Sequence, residues 1–275
     1  MNSKPFDAGR ASLVGNRKLN QDRSLLLTHH NTTLLAIADG LGGHPRGEVA
    51  AQLFVDVCET LFRQQAKPLQ DPEQFMVQCI HQAHQAIIEF GDRQDPPLCP
   101  RTTAVMAVVQ NGTAYWVHVG DSRLYLIRDR HVMAQTRDHS LVQYIRPATG
   151  DRSQARSSIT RCLGGLDQPP TITCGSPTRL LADDVLLLCT DGLWGQVPQQ
   201  KIVESLSRDQ AIVDGVAELA EEARQRGYPR SDNVTLLAIR WCEQAAEAGA
   251  DSSLEEHLEA AVRHLHQVLK HNKSS

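Results

Sequence analysis

Long apolar runs are missing from this 275-residue chain. None approaches the roughly 20 residues that cross a bilayer as a helix, and the opening Met1-Asn2-Ser3-Lys4-Pro5-Phe6 has no apolar core of signal-peptide length. The expected location is therefore the cytoplasm, with no membrane partner. Spaced cysteine pairs are missing too. The seven cysteines (Cys58, Cys79, Cys99, Cys162, Cys174, Cys189 and Cys242) are odd in number, and no two stand as a zinc knuckle or a redox pair requires. Most lie within apolar runs and are expected to be reduced, buried packing residues. In such a chain Asn31-Thr32-Thr33 carries no meaning as a glycosylation sequon. Nor does one sign of charge dominate: 28 basic and 32 acidic residues are interspersed and sum to −4, which argues against the basic stripe of a nucleic-acid binder. Repeats of solenoid length are absent as well.

What is present is enough apolar material, 41% of residues, to bury one large core. Short segments rich in Val, Ile, Leu and Thr predict strands at 24–28, 33–38, 102–109, 114–119, 124–128, 131–135, 185–190 and 234–241. Asn111-Gly112 between two of them predicts a tight hairpin and hence antiparallel neighbours. Apolar residues recur every three or four positions at Val49, Ala50, Leu53, Phe54, Val57 and Leu61, and again at Phe75, Met76, Cys79, Ile80, Ala83 and Ile87. Two helices packed by one face on a sheet follow, with a further pair predicted at 201–206 and 209–226. Strands and helices come in runs, not in strict alternation, so the fold class is α+β, with mainly antiparallel sheets covered by helices. Residues 140–158, with Pro, Gly and several Arg, read as an irregular excursion. Beyond 242, an Ala/Glu/Gly/Ser stretch reads as a linker, and Leu254, Leu258, Ala261, Val262, Leu265 and Leu269 mark one face of a last helix.

The chemically informative pattern is that apolar strands end in aspartate beside glycine. It occurs at Ala38-Asp39-Gly40, Val119-Gly120-Asp121 and Thr190-Asp191-Gly192, and Asp232 precedes the last strand. Any single instance is ordinary turn chemistry. Four together, on strands that lie side by side, would bring carboxylates to one end of the sheets, where their repulsion calls for a cation. Without matching Cys or His ligands, such a set favours hard ions such as magnesium or manganese, and ions of this kind clamp phosphates and acidify water. The loop Asp39-Gly40-Leu41-Gly42-Gly43-His44 lacks the Lys-Ser/Thr ending of a phosphate-binding P-loop, which argues against ATP. His44 itself leaves two readings open, a loop histidine or a proton donor.

The ordered set Arg17-Lys18-Leu19-Asn20-Gln21-Asp22, Asp39-Gly40-Leu41-Gly42-Gly43-His44, Thr102-Thr103, Gly120-Asp121-Ser122-Arg123, Asp138-His139-Ser140, Ile159-Thr160-Arg161-Cys162-Leu163-Gly164, Asp191-Gly192-Leu193-Trp194 and Ser231-Asp232-Asn233 resembles the metal-dependent PPM (type-2C) Ser/Thr protein phosphatases of bacteria. The resemblance runs from Arg17 to Asp232. It implies an αββα sandwich of two mainly antiparallel sheets flanked by helices, and a metal-dependent hydrolysis of phosphoserine and phosphothreonine in protein substrates of a Ser/Thr kinase pathway.

It also implies roles. Asp39 would bridge two Mn2+ or Mg2+ ions, with the Gly40 carbonyl and waters completing one and Asp191 and Asp232 the other. Asp121, with help from Asp191, would hold a weaker third. Asp22 would orient metal-bound water, Arg17 would grip the substrate phosphate, and a bridging hydroxide would attack phosphorus in line. On this basis residues 1–242 form the catalytic domain, with a short flap at 140–158, and 243–275 a tail that serves docking or dimerisation or packs back on the domain.

The sequence departs from the family pattern at Gln21, where Glu is common, at Arg101, where Gly is usual, and in a short flap without His-Pro-x-Arg-Asn. Arg123 is expected to pair with a neighbouring acid, Trp194 to pack, and His118 to be a satisfied core histidine. Two other readings compete: a catalytically dead phosphoprotein-binding module, and a metal-dependent phosphodiesterase or nuclease.

Overall fold

The computed structural model describes residues 6–139, 161–165, 168–207 and 210–242. The predicted flap at 140–158 and the tail at 243–275 lie outside these residues. Two antiparallel sheets form the centre. One has the order β1 (Phe6–Leu13), β13 (Val234–Trp241), β12 (Val185–Cys189), β7 (Arg123–Arg128), β8 (His131–Gln135). The other runs β10 (Thr173–Cys174), β6 (Thr113–Val119), β5 (Ala104–Gln110), β3 (Thr32–Asp39), β2 (Asp22–His29), with β11 (Thr178–Arg179) also on β6. A small ribbon pairs β4 (Arg101–Thr102) with β9 (Leu163–Gly164).

Period-two alternation divides the central strands between layers. In β3, Leu35 and Ile37 face the other sheet, while Leu34, Ala36 and Ala38 pack under helices α1 (Gly47–Gln64) and α2 (Pro72–Asp92). In β12, Leu186 and Leu188 fill the space between the sheets. Val185, Leu187 and Cys189 face the second helical layer, made of α3 (Asp191–Trp194), α4 (Gln199–Leu206) and α5 (Ile212–Gly227). Four layers result, helix, sheet, sheet, helix. Both faces of the central strands are covered, which is why they read as continuous apolar runs.

Local chemistry sets the elements. Asn111 and Gly112 take φ of 51° and 70°, the left-handed pair of a two-residue hairpin turn, and β5 and β6 pair on either side with Gln110 opposite Thr113. Asp71 caps α2 by accepting from the Gln74 amide at 2.9 Å, and Pro72 follows in the first turn.

Several sequence expectations are corrected. β1 was not expected: its Asp7, Gly9, Arg10 and Ser12 hide a strand that is held by full-length pairing with β13 at the sheet edge. The strand expected at 102–109 is two strands, interrupted at Thr103. Helix α5 starts at Ile212 rather than 209. Only Cys58, Cys79 and Cys189 are buried, while Cys99 and Cys174 are exposed. Cys99 lies in an irregular segment and Cys174 in the two-residue edge strand β10, where a neighbouring apolar run is no guide to depth.

Candidate metal centre

Antiparallel pairing carries the predicted acids to one end of the sandwich. Asp22 opens β2 directly opposite Asp39, which closes β3, and Ala104 and Val119 pair at the same end, so that Asp121 follows just beyond β6. In the other sheet Cys189 pairs with Leu236, which places Asp191 after β12 beside Asp232 before β13. Bonds between the sheets join the two ends. The Thr190 hydroxyl donates to Asp22 Oδ2 at 3.0 Å and accepts from the Thr235 amide at 3.1 Å, and the Gln21 amide donates to Asn233 Oδ1 at 2.8 Å.

The Asp39 main chain is pinned from both directions. Its amide donates to Thr103 Oγ1 at 3.0 Å, and its carbonyl accepts from Thr102 Oγ1 at 2.9 Å and from the Thr103 amide at 2.9 Å. The Thr pair of the motif is therefore a brace for the acid. Next to it, Gly40 and Gly47 meet backbone to backbone: a Cβ on Gly40 would lie 2.4 Å from Gly47 O, and one on Gly47 would lie 2.7 Å from Gln21 Nε2. Glycine at both positions lets the loop close and aims the start of α1 at the acids.

The electrostatics are those of a carboxylate cluster short of positive charge. Burial, with the Asp191 and Asp232 charges adding to it, pushes Asp22 up to about 7. Burial and then Asp191 and Asp138 push Asp121 up to about 7, and burial followed by Asp232 lifts Asp191 to about 6. Asp39 is raised well above the usual carboxylate range by burial and by all four of the other acids. Asp22 Oδ1 and Asp121 Oδ1 are buried without a hydrogen-bond partner. Orphaned carboxylate oxygens at this depth fit an oxygen-ligated divalent cation.

Among the described residues no three His, Cys, Asp or Glu side chains come close enough to enclose an ion by themselves. Magnesium and manganese sites complete their shells with water and main-chain carbonyls, and the Gly40 carbonyl follows Asp39 directly in the chain.

The remaining site residues separate into those that join the cluster and those that do not. Arg17 is exposed and donates to Asp232 Oδ2 at 2.6 Å, so the predicted phosphate grip rests on a predicted metal ligand. Gln21 reaches Glu48 of α1 at 3.5 Å. His44 is half-buried on the loop, its ring bonded to none of the described residues; burial first, and then the Arg101 charge, hold its pKa below the ordinary histidine value. Arg123 holds Asp138 with two bonds of 2.7 and 2.8 Å, as expected, but also stacks 3.6 Å over the Trp194 ring. Trp194 is more than packing: its indole donates to the Asp121 carbonyl at 3.0 Å. Together they form a strut behind Asp121 that sequence reasoning missed. The adjacency of Trp194 to Asp191-Gly192 was the signal for it. His118 is satisfied by the Arg137 carbonyl at 2.8 Å and stacks on His139, which binds the Gly120 amide.

An αββα sandwich with five aspartates gathered at one end of both sheets offers the kind of oxygen donors that divalent metals take. The chain belongs to the protein phosphatase 2C family, whose model matches residues 11–259, a span that runs past the boundary expected at 242. It is 32% identical over 241 residues to the serine/threonine protein phosphatase PstP of Mycobacterium tuberculosis, covering 83% of this chain but only 45% of that relative. It is 28% identical over 233 residues to the serine/threonine phosphatase Stp of Listeria monocytogenes, covering 81% of this chain and 89% of that protein. The solved catalytic domain of PstP, in complex with two manganese ions, superposes with a TM-score of 0.72 at 29% identity over 86% of this chain and 99% of that one. No helix among the described residues is long and apolar enough to cross a membrane.

Proposed function

We propose that this protein is a metal-dependent phosphatase that hydrolyses phosphoserine and phosphothreonine in proteins, in cytoplasmic signal transduction opposite Ser/Thr kinases. The observation that carries the reading is the convergence of Asp22, Asp39, Asp121, Asp191 and Asp232, with buried unpartnered oxygens, at one end of a protein phosphatase 2C fold. Two Mn2+ or Mg2+ ions held by Asp39, the Gly40 carbonyl, Asp191 and Asp232, with a weaker third at Asp121, would supply acidified water and neutralise phosphate charge. The manganese pair in PstP supports that assignment.

The chain's own residues do the rest. Asp22, fixed by Thr190, accepts a proton from the attacking water and holds it in line with the phosphorus–oxygen bond to be broken. Arg17 turns part of its planar fork from Asp232 to the substrate phosphate. His44 donates a proton to the departing serine or threonine oxygen. Burial and Arg101 disfavour its imidazolium, so the incoming phosphate dianion supplies the charge that restores it.

Turnover of a phosphothreonine peptide with manganese, abolished by a chelator, is the expected result. Absence of turnover would leave a phosphoprotein-binding module, and preference for a phosphodiester over a phosphomonoester would point to a diesterase. The catalytic unit is proposed to end by residue 242, with 243–275 serving docking or dimerisation. Deleting 243–275 should then leave hydrolysis of p-nitrophenyl phosphate nearly intact, whereas loss of folding would place the tail in the core.

A further inference from the structure

Arginines near the acid cluster are nearly all spoken for. Arg17 and Arg123 each hold a carboxylate at 2.6 to 2.8 Å. Arg101 is different. Its main chain is built into the site: its carbonyl accepts from the Leu41 amide at 3.0 Å, and the next residue, Thr102, braces Asp39. Its side chain is half-buried, yet no carboxylate or carbonyl among the described residues receives a bond from it, and Nε is sealed from solvent with no partner. The chain makes room for this guanidinium. At Gly165, with φ of 85°, a Cβ would lie 2.4 Å from Arg101 Nε and 2.9 Å from Cζ, so only glycine lets the side chain lie flat against the β9 turn.

The same loop sits between two cations. Gly42 lies beside Arg17, where a Cβ would be 3.8 Å from Nη1, and His44, two residues on, feels the Arg101 charge. A half-buried guanidinium with spare donors is costly unless an anion completes it. Because Arg17 is the proposed grip for the scissile phosphate, the anion at Arg101 belongs to a different part of the substrate.

We propose that Arg101 is a specificity residue that binds a second anionic group next to the scissile phosphoester, either an acidic side chain flanking the phosphoresidue or a second phosphate. This rests on the phosphatase reading above and adds a substrate class to it: acidic or multiply phosphorylated peptides. The planar fork suits carboxylate and phosphate alike.

The test compares four phosphothreonine peptides, with neutral, acidic, basic or second-phosphoserine flanks, on the wild type and on Arg101→Gln and Arg101→Lys. A hydrogen-bonded charge pair is worth about tenfold or more in binding. The wild type should therefore favour the acidic or doubly phosphorylated peptide over the neutral one by about tenfold in kcat/KM, mainly through KM. Arg101→Gln should erase that ratio and Arg101→Lys should restore part of it. Which of the two anionic peptides responds identifies carboxylate or phosphate as the ligand. No preference in the wild type, or a ratio that survives Arg101→Gln, overturns the proposal, and the first of these outcomes needs no variant to fold.

Fluorescence anisotropy of the same peptides in chelator, where nothing is turned over, keeps the two readings apart. Arg101-dependent binding without hydrolysis under manganese would sink the phosphatase reading and leave the anion site standing. Hydrolysis without Arg101-dependent selectivity would do the reverse.

Discussion

Strand β12 has an aspartate just before it and another just after it, and the structure treats them in opposite ways. Asp184, at the entry, is almost fully buried and fully satisfied: Arg128 holds it with bonds of 2.8 and 2.7 Å, and the Leu181 amide adds a third at 2.8 Å. Asp191, at the exit, shares its end of the sandwich with four more acids, and its pKa rises to about 6. A protein that only needed a turn at each end would satisfy both in the same way. The far end shows what a structural carboxylate looks like in this fold, paired and quiet. The near end is a stack of repelling charges held together by threonine and main-chain bonds, which is a stored demand for a cation.

The sharpest way to break this contrast is to neutralise one acid at each end. Asp39→Asn should lower phosphopeptide turnover by about 10³-fold or more, since metal-assisted charge stabilisation is worth several kcal/mol. Far-UV circular dichroism should stay native and the chelated protein should melt no lower, because one repelling charge has gone. Asp191→Asn and Asp232→Asn should act alike, while Asp121→Asn raises the manganese concentration needed for half activity. Ordinary turnover by Asp39→Asn at ordinary manganese would refute the metal centre.

The proton donor proposed at the same end can be separated from the proposed metal acids by its leaving-group dependence. An alkoxide leaves poorly without protonation and a nitrophenolate leaves well, so His44→Ala should slow phosphopeptide hydrolysis by about 10²-fold or more and p-nitrophenyl phosphate hydrolysis far less. Equal slowing of both substrates, rescued by excess manganese, would make His44 a support for the metal site.

The quiet end should answer in stability instead of rate. Asp184→Asn removes the partner of a half-buried arginine and should cost about 2–3 kcal/mol, read as a fall in Tm with kcat on p-nitrophenyl phosphate retained. A variant that kept its Tm and lost activity would show that the two ends are not independent.

Much of the contrast was legible in the sequence. Apolar strands ending in aspartate beside glycine announced Asp39, Asp121 and Asp191, because that pattern needs only local reading. What could not be read were the tertiary pairings. The register that sets Asp22 directly across from Asp39 depends on how β2 meets β3, and the Thr190 hydroxyl that ties Asp22 to the other sheet comes from 168 residues away. Trp194 looked like packing because a side chain's bond to a distant carbonyl leaves no periodic trace. β1 was invisible for the same reason, being an edge strand whose polar sequence is strand-like only when laid on β13.

The smallest effect is the most direct probe of the stored repulsion. The folded-state pKa values of Asp22, Asp121 and Asp191 lie near 7, 7 and 6, all above the value near 4 of an unfolded aspartate. The native state therefore binds more protons than the unfolded state between those limits. The stability these groups contribute is complete below pH 4 or so and is lost as pH rises through 6 to 7. Glu221, whose hydrogen bond from Arg224 draws its carboxyl down to about 2, pulls the opposite way at lower pH because its pairing needs the charged form. The window that isolates the cluster is thus pH 5.5 to 7.5, where paired carboxylates are already ionised. In chelator the Tm should fall across that window by a few degrees. With saturating manganese the slope should vanish or reverse, since the ions bind the deprotonated form and release its protons. Asp39→Asn in chelator should flatten the slope as manganese does. A chelated wild type whose Tm held level from pH 5.5 to 7.5 would mean that the cluster is already neutralised from within, with the Arg17 bond to Asp232 as the first suspect, and Arg17→Gln should then bring the slope back.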